Sequence, residues 1–329
     1  MISWKDTPVV VTGAGGFIGS HLVEKLVDLG AQVTAFVRYN SRNDVGALQI
    51  IGKEKKQLHI VAGDIRDPET VRKLIEDATV VFHLAALVGI PYSYVHTREV
   101  IETNTTGTLN VLTAAKDRKT AKVVITSTSE VYGSAIYTPI DEAHPKQPQS
   151  PYAASKIAAD ALALSFHRSF DLPVVIVRPF NTYGPRQSDR AIIPTIISQA
   201  LSGQFVHLGN TSPTRDFTFV SDTVEGMILA AESDDSVGHE INLGSGYEIS
   251  IGELAELIAQ VIGNGVRIEH ESKRMRPANS EVLRLLSANA KARDLVGWTP
   301  TVTLKSGLGR TADWIRSHMD FYDPTSYRI

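Results

Sequence analysis

Short aliphatic, β-branched runs alternate with longer amphipathic stretches over the first half of the chain. Pro8-Val9-Val10-Val11 reads as a strand buried on both faces. The residues from Phe17 to Leu29 then follow helical spacing. Further strands are predicted at Gln32–Val37, Leu58–Val61, Thr79–Phe82, Ala121–Ile125 and Leu172–Val177. A helix is predicted from about Thr97 to Ala115. Another runs on from Ala153 to Phe166, with Ser150 as N-cap and Pro151 at the first helical position. Such alternation builds a parallel, doubly wound α/β sheet.

After about residue 180 the pattern changes. Helices are predicted at Ile192–Leu201, Val224–Ala231, Ile251–Val261, Asn289–Leu295 and Leu304–Ser317, with short strands at Phe217–Val220 and Glu240–Leu243. The expected organisation is a Rossmann-type domain over residues 1–178, with returns near 217–245. A smaller, mixed α/β domain over 179–329 would follow.

Composition narrows the function classes. A chain of 329 residues can bury a core of this size. The net charge of −3 gives no electrostatic case for nucleic acid. The chain has no cysteine, which removes disulfides, thiol nucleophiles and Cys metal sites. The histidines show no metal-ligand spacing. No apolar run approaches membrane-spanning length, and the N-terminus enters a strand without a signal-like segment. A cytoplasmic protein with no membrane partner is expected.

The first strand enters Thr12-Gly13-Ala14-Gly15-Gly16-Phe17-Ile18-Gly19. Gly13, Gly16 and Gly19 give Gly-x-x-Gly-x-x-Gly, and Gly-x-Gly-x-x-Gly fails because position 18 is Ile. Strand, glycine turn and helix together suggest a dinucleotide site, where backbone N–H groups hold a pyrophosphate. A turn used only for packing is the alternative. The second strand ends in Arg38-Tyr39-Asn40-Ser41-Arg42, without the acid that would hold an NAD ribose. Arg38, Ser41 and Arg42 could hold a 2′-phosphate instead, or form a solvated basic loop. NAD and NADP therefore both stay open. Asp64 and Ile65 could contact adenine or cap a helix. Leu84-Ala85-Ala86 could let a cofactor lie close or serve packing.

The fifth strand runs into Thr126-Ser127-Thr128-Ser129-Glu130-Val131-Tyr132-Gly133. Open α/β sheets bind ligands at this end of their strands. Tyr152 falls in the first turn of the following helix and Lys156 one turn on, on the same face. The helix start and a nearby cation would both favour a phenolate, so Tyr152 could take a proton from a substrate hydroxyl. A half-buried Tyr beside a solvated Lys is the plain alternative.

Glycine turn, Ser/Thr-rich strand end and Tyr-x-x-x-Lys occur here in one order. The chain resembles the extended short-chain dehydrogenase/reductase family, specifically its nucleotide-sugar epimerases and dehydratases, over nearly its whole length. Thr126–Gly133, Gln149-Ser150-Pro151-Tyr152, Arg178-Pro179-Phe180-Asn181-Thr182-Tyr183-Gly184-Pro185-Arg186-Gln187-Ser188 and Arg276-Pro277-Ala278-Asn279-Ser280-Glu281-Val282 look like the 4,6-dehydratases of the legionaminic-acid pathway. Those act on a GDP- or UDP-linked N-acetylglucosamine.

The resemblance implies a tightly bound NAD or NADP. It would be held by Gly13, Gly16, Phe17, Ile18, Gly19, Arg38, Asp64, Ile65, Leu84, Ala85, Ala86 and Asn104, with Tyr152 and Lys156. It implies that Tyr152 is the base at the sugar O4, that Lys156 lowers its pKa, and that Thr128 bridges O4 and the Tyr. Asn181, Arg186, Arg215 and Arg276 would bind the nucleotide sugar. Glu130 would remove the C5 proton once C4 is a ketone. Many dehydratases carry Asp–Glu at this strand end, where this chain has Ser129-Glu130, a pair shared with UDP-glucuronate decarboxylases. A C4 epimerase and such a decarboxylase are the enzymatic alternatives, and a non-catalytic dinucleotide sensor the remote one. The resemblance also implies a homodimer, paired through the helices of Asn104 and Tyr152.

Overall fold

Val9 and Val11 of the first strand pack to one side of the central sheet, with Leu22, Leu26 and Met227; Val10 packs to the other, with Val111 and Leu112. That alternation makes the sheet the middle of three layers. The structure, a computed structural model, describes residues 2–51, 56–263, 265–274 and 281–324. The chain runs β1 (Pro8–Thr12), α1 (Phe17–Asp28), β2 (Gln32–Arg38), β3 (Leu58–Gly63), α2 (Pro68–Leu74), β4 (Val80–His83), α3 (Ile90–Val95), α4 (Thr97–Ile101) and α5 (Gly107–Arg118). It continues through β5 (Lys122–Thr126), α6 (Pro151–Phe170), β6 (Val174–Pro179), β7 (Asn181–Tyr183), α7 (Ile192–Ser202), β8 (Phe205–Leu208), β9 (Thr214–Phe219) and α8 (Val220–Glu232). It closes with β10 (Glu240–Leu243), β11 (Glu248–Ser250), α9 (Ile251–Ile262), β12 (Arg267–His270), α10 (Ala290–Val296) and α11 (Leu304–Ser317).

Among the described residues, seven strands form one parallel sheet in the order β10-β6-β5-β4-β1-β2-β3. This is the doubly wound Rossmann-type arrangement. Its order reverses between β1 and β4, and the loops after these two strands flank the crevice there. β10 reaches the sheet only after β7, β8, β9 and α8 have been laid down. Two smaller sheets, β11-β9-β7 and β12-β8, pack with α7, α9 and α11.

One predicted helix is divided. Where a single helix from Thr97 to Ala115 is expected, α4 gives way to a π-helical stretch, Glu102–Thr106, before α5 begins. Asn104 lies inside this stretch, fully buried, and its amide bonds both backbone groups of Leu87. Gly107 follows, where a Cβ would come within 2.9 Å of Ile65. No helix among the described residues is long and apolar enough to cross a membrane.

Candidate active site

Tyr152 stands in the first turn of α6. The Ser150 hydroxyl accepts the Ala153 N–H at 3.1 Å, and Pro151 fills the first helical position. A cap of this kind contributes about 1 kcal/mol. Thr128 caps the short 3₁₀ turn Ser129–Tyr132 beyond β5, its Oγ1 accepting the Glu130 N–H at 3.2 Å. Thr128 and Glu130 both act on the Tyr152 phenol, Thr128 as a hydrogen-bonding neighbour that lowers its pKa and Glu130 as a charge that raises it. Thr128, Glu130 and Tyr152 are thus brought together, with Ser129 buried beside them.

Burial is the largest influence on the Tyr152 phenol and pushes its pKa up. The Thr128 hydrogen bond works downward; the charges of Glu130 and Asp160 work upward. The net direction is upward, which corrects the expectation that Lys156 and the helix start pull it down. A phenolate in a dry site loses more hydration than these groups return. Lys156 is itself buried. Its Nζ donates to the Thr126 carbonyl at 2.6 Å; burial lowers its pKa and Asp160 raises it.

A continuous hydrogen-bonded chain links the helix of Tyr152 to the glycine turn. Ser155 Oγ donates to the Tyr152 carbonyl at 2.7 Å and accepts from Asn104 Nδ2 at 2.9 Å. The Asn104 carbonyl accepts from Thr108 Oγ1 at 2.6 Å. Thr108 Oγ1 lies 3.0 Å from His83 Nε2, and His83 Nδ1 lies 2.8 Å from Thr12 Oγ1. The hydroxyl of Thr12 also accepts the Leu84 and Ala85 N–H groups, at 3.2 and 3.1 Å. Its proton is therefore free for Nδ1, which leaves Nε2 as the N–H that serves Thr108. Burial, and secondarily the charge of Lys156, hold His83 down to a pKa of about 3, consistent with this neutral imidazole.

The glycine turn is shaped by close approach. Gly13 has φ +69°, and a Cβ there would come within 2.7 Å of Ala85 N. A Cβ at Gly19 would meet the Gly13 carbonyl at 2.3 Å. Gly16 is exposed and begins α1 with no side-chain cap on the N–H groups behind it, at Phe17 and Ile18. Gly13, Arg38, Asp64, Ile65, Ala85 and Ala86 line one cleft, of about 130 Å³. Both Asp64 oxygens accept from Arg66, at 2.6–3.1 Å, and this holds the Asp64 carboxyl below its usual range. Arg38 pairs with Glu99 at 3.3 Å. Ser41 and Arg42 lie in the exposed loop beyond.

The four residues expected to bind the nucleotide sugar separate. Asn181 on β7 and Arg215 on β9 lie on adjacent strands; Asn181 Nδ2 donates to the Asp216 carbonyl at 3.4 Å, and Arg215 pairs with Glu281 at 3.3 Å. Arg186 does not join them. Its backbone is left-handed, φ +70°, and its guanidinium is turned to Glu24 of α1 at 2.7 Å and to the Trp314 ring. Arg276 lies outside the described residues.

The reading by motif missed His83, Ser155, Asp160 and Arg178. Asp160 had a signal: it continues the Tyr152–Lys156 spacing by one more turn. His83 had none, because its two partners come from separate elements, Thr12 of β1 and Thr108 of α5.

The model of the family "GDP-mannose 4,6 dehydratase" matches residues 10–311. A UDP-N-acetyl-alpha-D-glucosaminuronate decarboxylase of Bacillus cytotoxicus is 35% identical over 320 residues, 93% of this chain and 97% of that protein. The UDP-N-acetylglucosamine 4-epimerase of Methanobrevibacter ruminantium M1, solved with UDP-N-acetylmuramic acid, superposes with a TM-score of 0.88 at 32% identity, covering 96% of this chain and 100% of that one. DesIV, a dTDP-glucose 4,6-dehydratase of Streptomyces venezuelae solved with NAD, gives 0.86 at 30% identity, covering 97% and 99%. Fold, motif order and relatives agree over nearly the full length: the chain belongs to the GDP-mannose 4,6-dehydratase-like family of extended short-chain dehydrogenases/reductases.

Proposed function

We propose that the protein is a nucleotide-sugar 4,6-dehydratase acting on UDP- or GDP-N-acetylglucosamine with a tightly held NAD. The observation that carries this reading is the convergence of Glu130 on Thr128 and Tyr152. A C4 epimerase has no use for a carboxylate base at C5.

The residues present fit a dinucleotide. The uncapped start of α1 and the close glycine turn would take the diphosphate. The cleft of Asp64, Ile65 and Ala85 would take the adenosine, and Lys156 the nicotinamide ribose. The bound NAD of DesIV supports NAD over NADP. So does Glu99, whose charge offsets Arg38 at the ribose end of β2. A nicotinamide held there by Lys156 would supply the redox chemistry, storing the C4 hydride and giving it back at C6, so that it would end each turnover in its starting state.

For Tyr152 to receive the O4 proton as C4 becomes a ketone it must act as the phenolate, against the rise that burial gives its pKa, with Thr128 aligning O4 to it. The ketone acidifies C5–H. Glu130 takes that proton and passes it to the C6 hydroxyl, which leaves as water as the C5–C6 double bond forms; a proton from solvent then adds at C5 when hydride returns to C6. Asn181 and Arg215 hold the nucleotide diphosphate.

The test is to incubate the purified protein with each nucleotide sugar and look for the loss of one water by mass spectrometry. A second reading, decarboxylation of a nucleotide-linked uronic acid, is favoured by Ser129-Glu130 and by the Bacillus cytotoxicus relative. The same assay with the uronic acids separates it through loss of carbon dioxide.

A further inference from the structure

One helical turn beyond Lys156, Asp160 is fully buried. Its Oδ2 accepts from Ser127 Oγ at 2.8 Å, and from Arg178 Nη2 at 2.9 Å and Nε at 3.3 Å. Its Oδ1 is buried without a hydrogen-bond partner. Arg178, also fully buried, extends the contacts to the Tyr132 hydroxyl at 2.8 Å and to Glu240 of β10. Glu240 in turn pairs with Lys146 at 2.6 Å. A buried carboxylate with one oxygen unbonded is costly unless a cation stands near. Arg178 occupies Oδ2; the next cation along α6 is Lys156.

We propose that Asp160 is a positioning residue: it supplies the buried negative charge for Lys156, and through Ser127 it ties the strand end bearing Thr128 to the helix bearing Tyr152. Ser127 directly precedes Thr128, so the Ser127–Asp160 bond fixes the distance between the two halves of the centre. The proposal rests on the redox reading of Tyr152 and Lys156 given above. The groups set against Lys156 are the Thr126 carbonyl from β5, neutral His83 from β4 and Asp160 from its own helix, with Tyr152 one turn before it in the sequence. Asp160 is the one that raises the Lys156 pKa against burial.

The test is Asp160→Asn, which keeps shape and one oxygen. The readouts are the titration of Lys156 by ¹⁵Nζ NMR and the pH profile of turnover. Removing the charge should lower the Lys156 pKa by about one unit or more, given two charges a helical turn apart. The alkaline limb of turnover should move down with it. Asp160 also raises the Tyr152 phenol, so the acid limb should move down too. Ser127→Ala keeps the charge and should leave the Lys156 titration in place while lowering turnover. A folded Asp160→Asn protein whose Lys156 titration is unchanged overturns the proposal. Should that variant not fold, the wild type decides: Lys156 protonated at pH 8 supports it, and Lys156 neutral there overturns it. A shifted Lys156 with no wild-type turnover of any nucleotide sugar supports the charge role and sinks the enzymatic reading instead.

Discussion

The hydroxyl of Thr12 lies 2.8 Å from Nδ1 of His83, across the two strands between which the sheet order reverses. The register pairs these two residues directly. The buried imidazole therefore fixes the glycine turn relative to the loop after β4. His83→Leu should leave the Thr12 and Thr108 hydroxyls short of a partner. The expected cost is about 1–3 kcal/mol for each buried group left unsatisfied, read by urea denaturation, with weaker dinucleotide binding by calorimetry.

The same residue links stability to pH. The folded His83 titrates at about 3 against 6.5 unfolded, so the unfolded chain binds the proton more readily. The stability this contributes is complete above pH 6.5 and is lost as pH falls toward 3, up to ~5 kcal/mol. His21, held down to about 4 by burial, adds in the same direction. His83→Gln should flatten the acid decline of the unfolding free energy between these pH values; an unchanged slope would contradict the neutral, buried imidazole.

Tyr152→Phe should reduce turnover by at least about 10²–10⁴-fold, the range for a lost acid–base group. Substrate affinity by calorimetry should barely change, since one hydroxyl is lost and the ring remains.

Glu130→Gln should act later in the sequence. It should still oxidise C4 and then accumulate a 4-keto sugar, trapped by borodeuteride reduction and weighed. In D₂O the wild-type product should carry deuterium at C5. Its absence there would rule out proton removal by Glu130 and transfer support to the epimerase reading.

Val95, Ile101 and Leu109 are exposed along α3 to α5. A homodimer that covers this face is expected. Sedimentation at micromolar concentration should show the dimer, and Leu109→Glu should shift it toward monomer.

Much of the centre was legible because its geometry is local. Tyr152 and Lys156 are four residues apart on one helix, and Gly13, Gly16 and Gly19 lie in one turn. The parallel sheet was legible from runs such as Val9-Val10-Val11. What could not be read depends on register and on dryness. His83 meets Thr12 only because β1 and β4 pair as they do. Arg186 belongs to a motif, yet its own left-handed backbone turns it to Glu24. The direction of the Tyr152 pKa escaped because a sequence displays nearby charges but not the loss of water.

The late arrival of β10 bears on how the chain is made. β6 is finished at Pro179, yet its outer edge stays unpaired until Glu240–Leu243 has been synthesised. During translation that edge is an open template for a foreign strand. The central sheet thus cannot close by itself on the ribosome. A chain released before residue 240 should aggregate through β6, and a C-terminal half borrowed from a relative would have to bring a matching β10 with it.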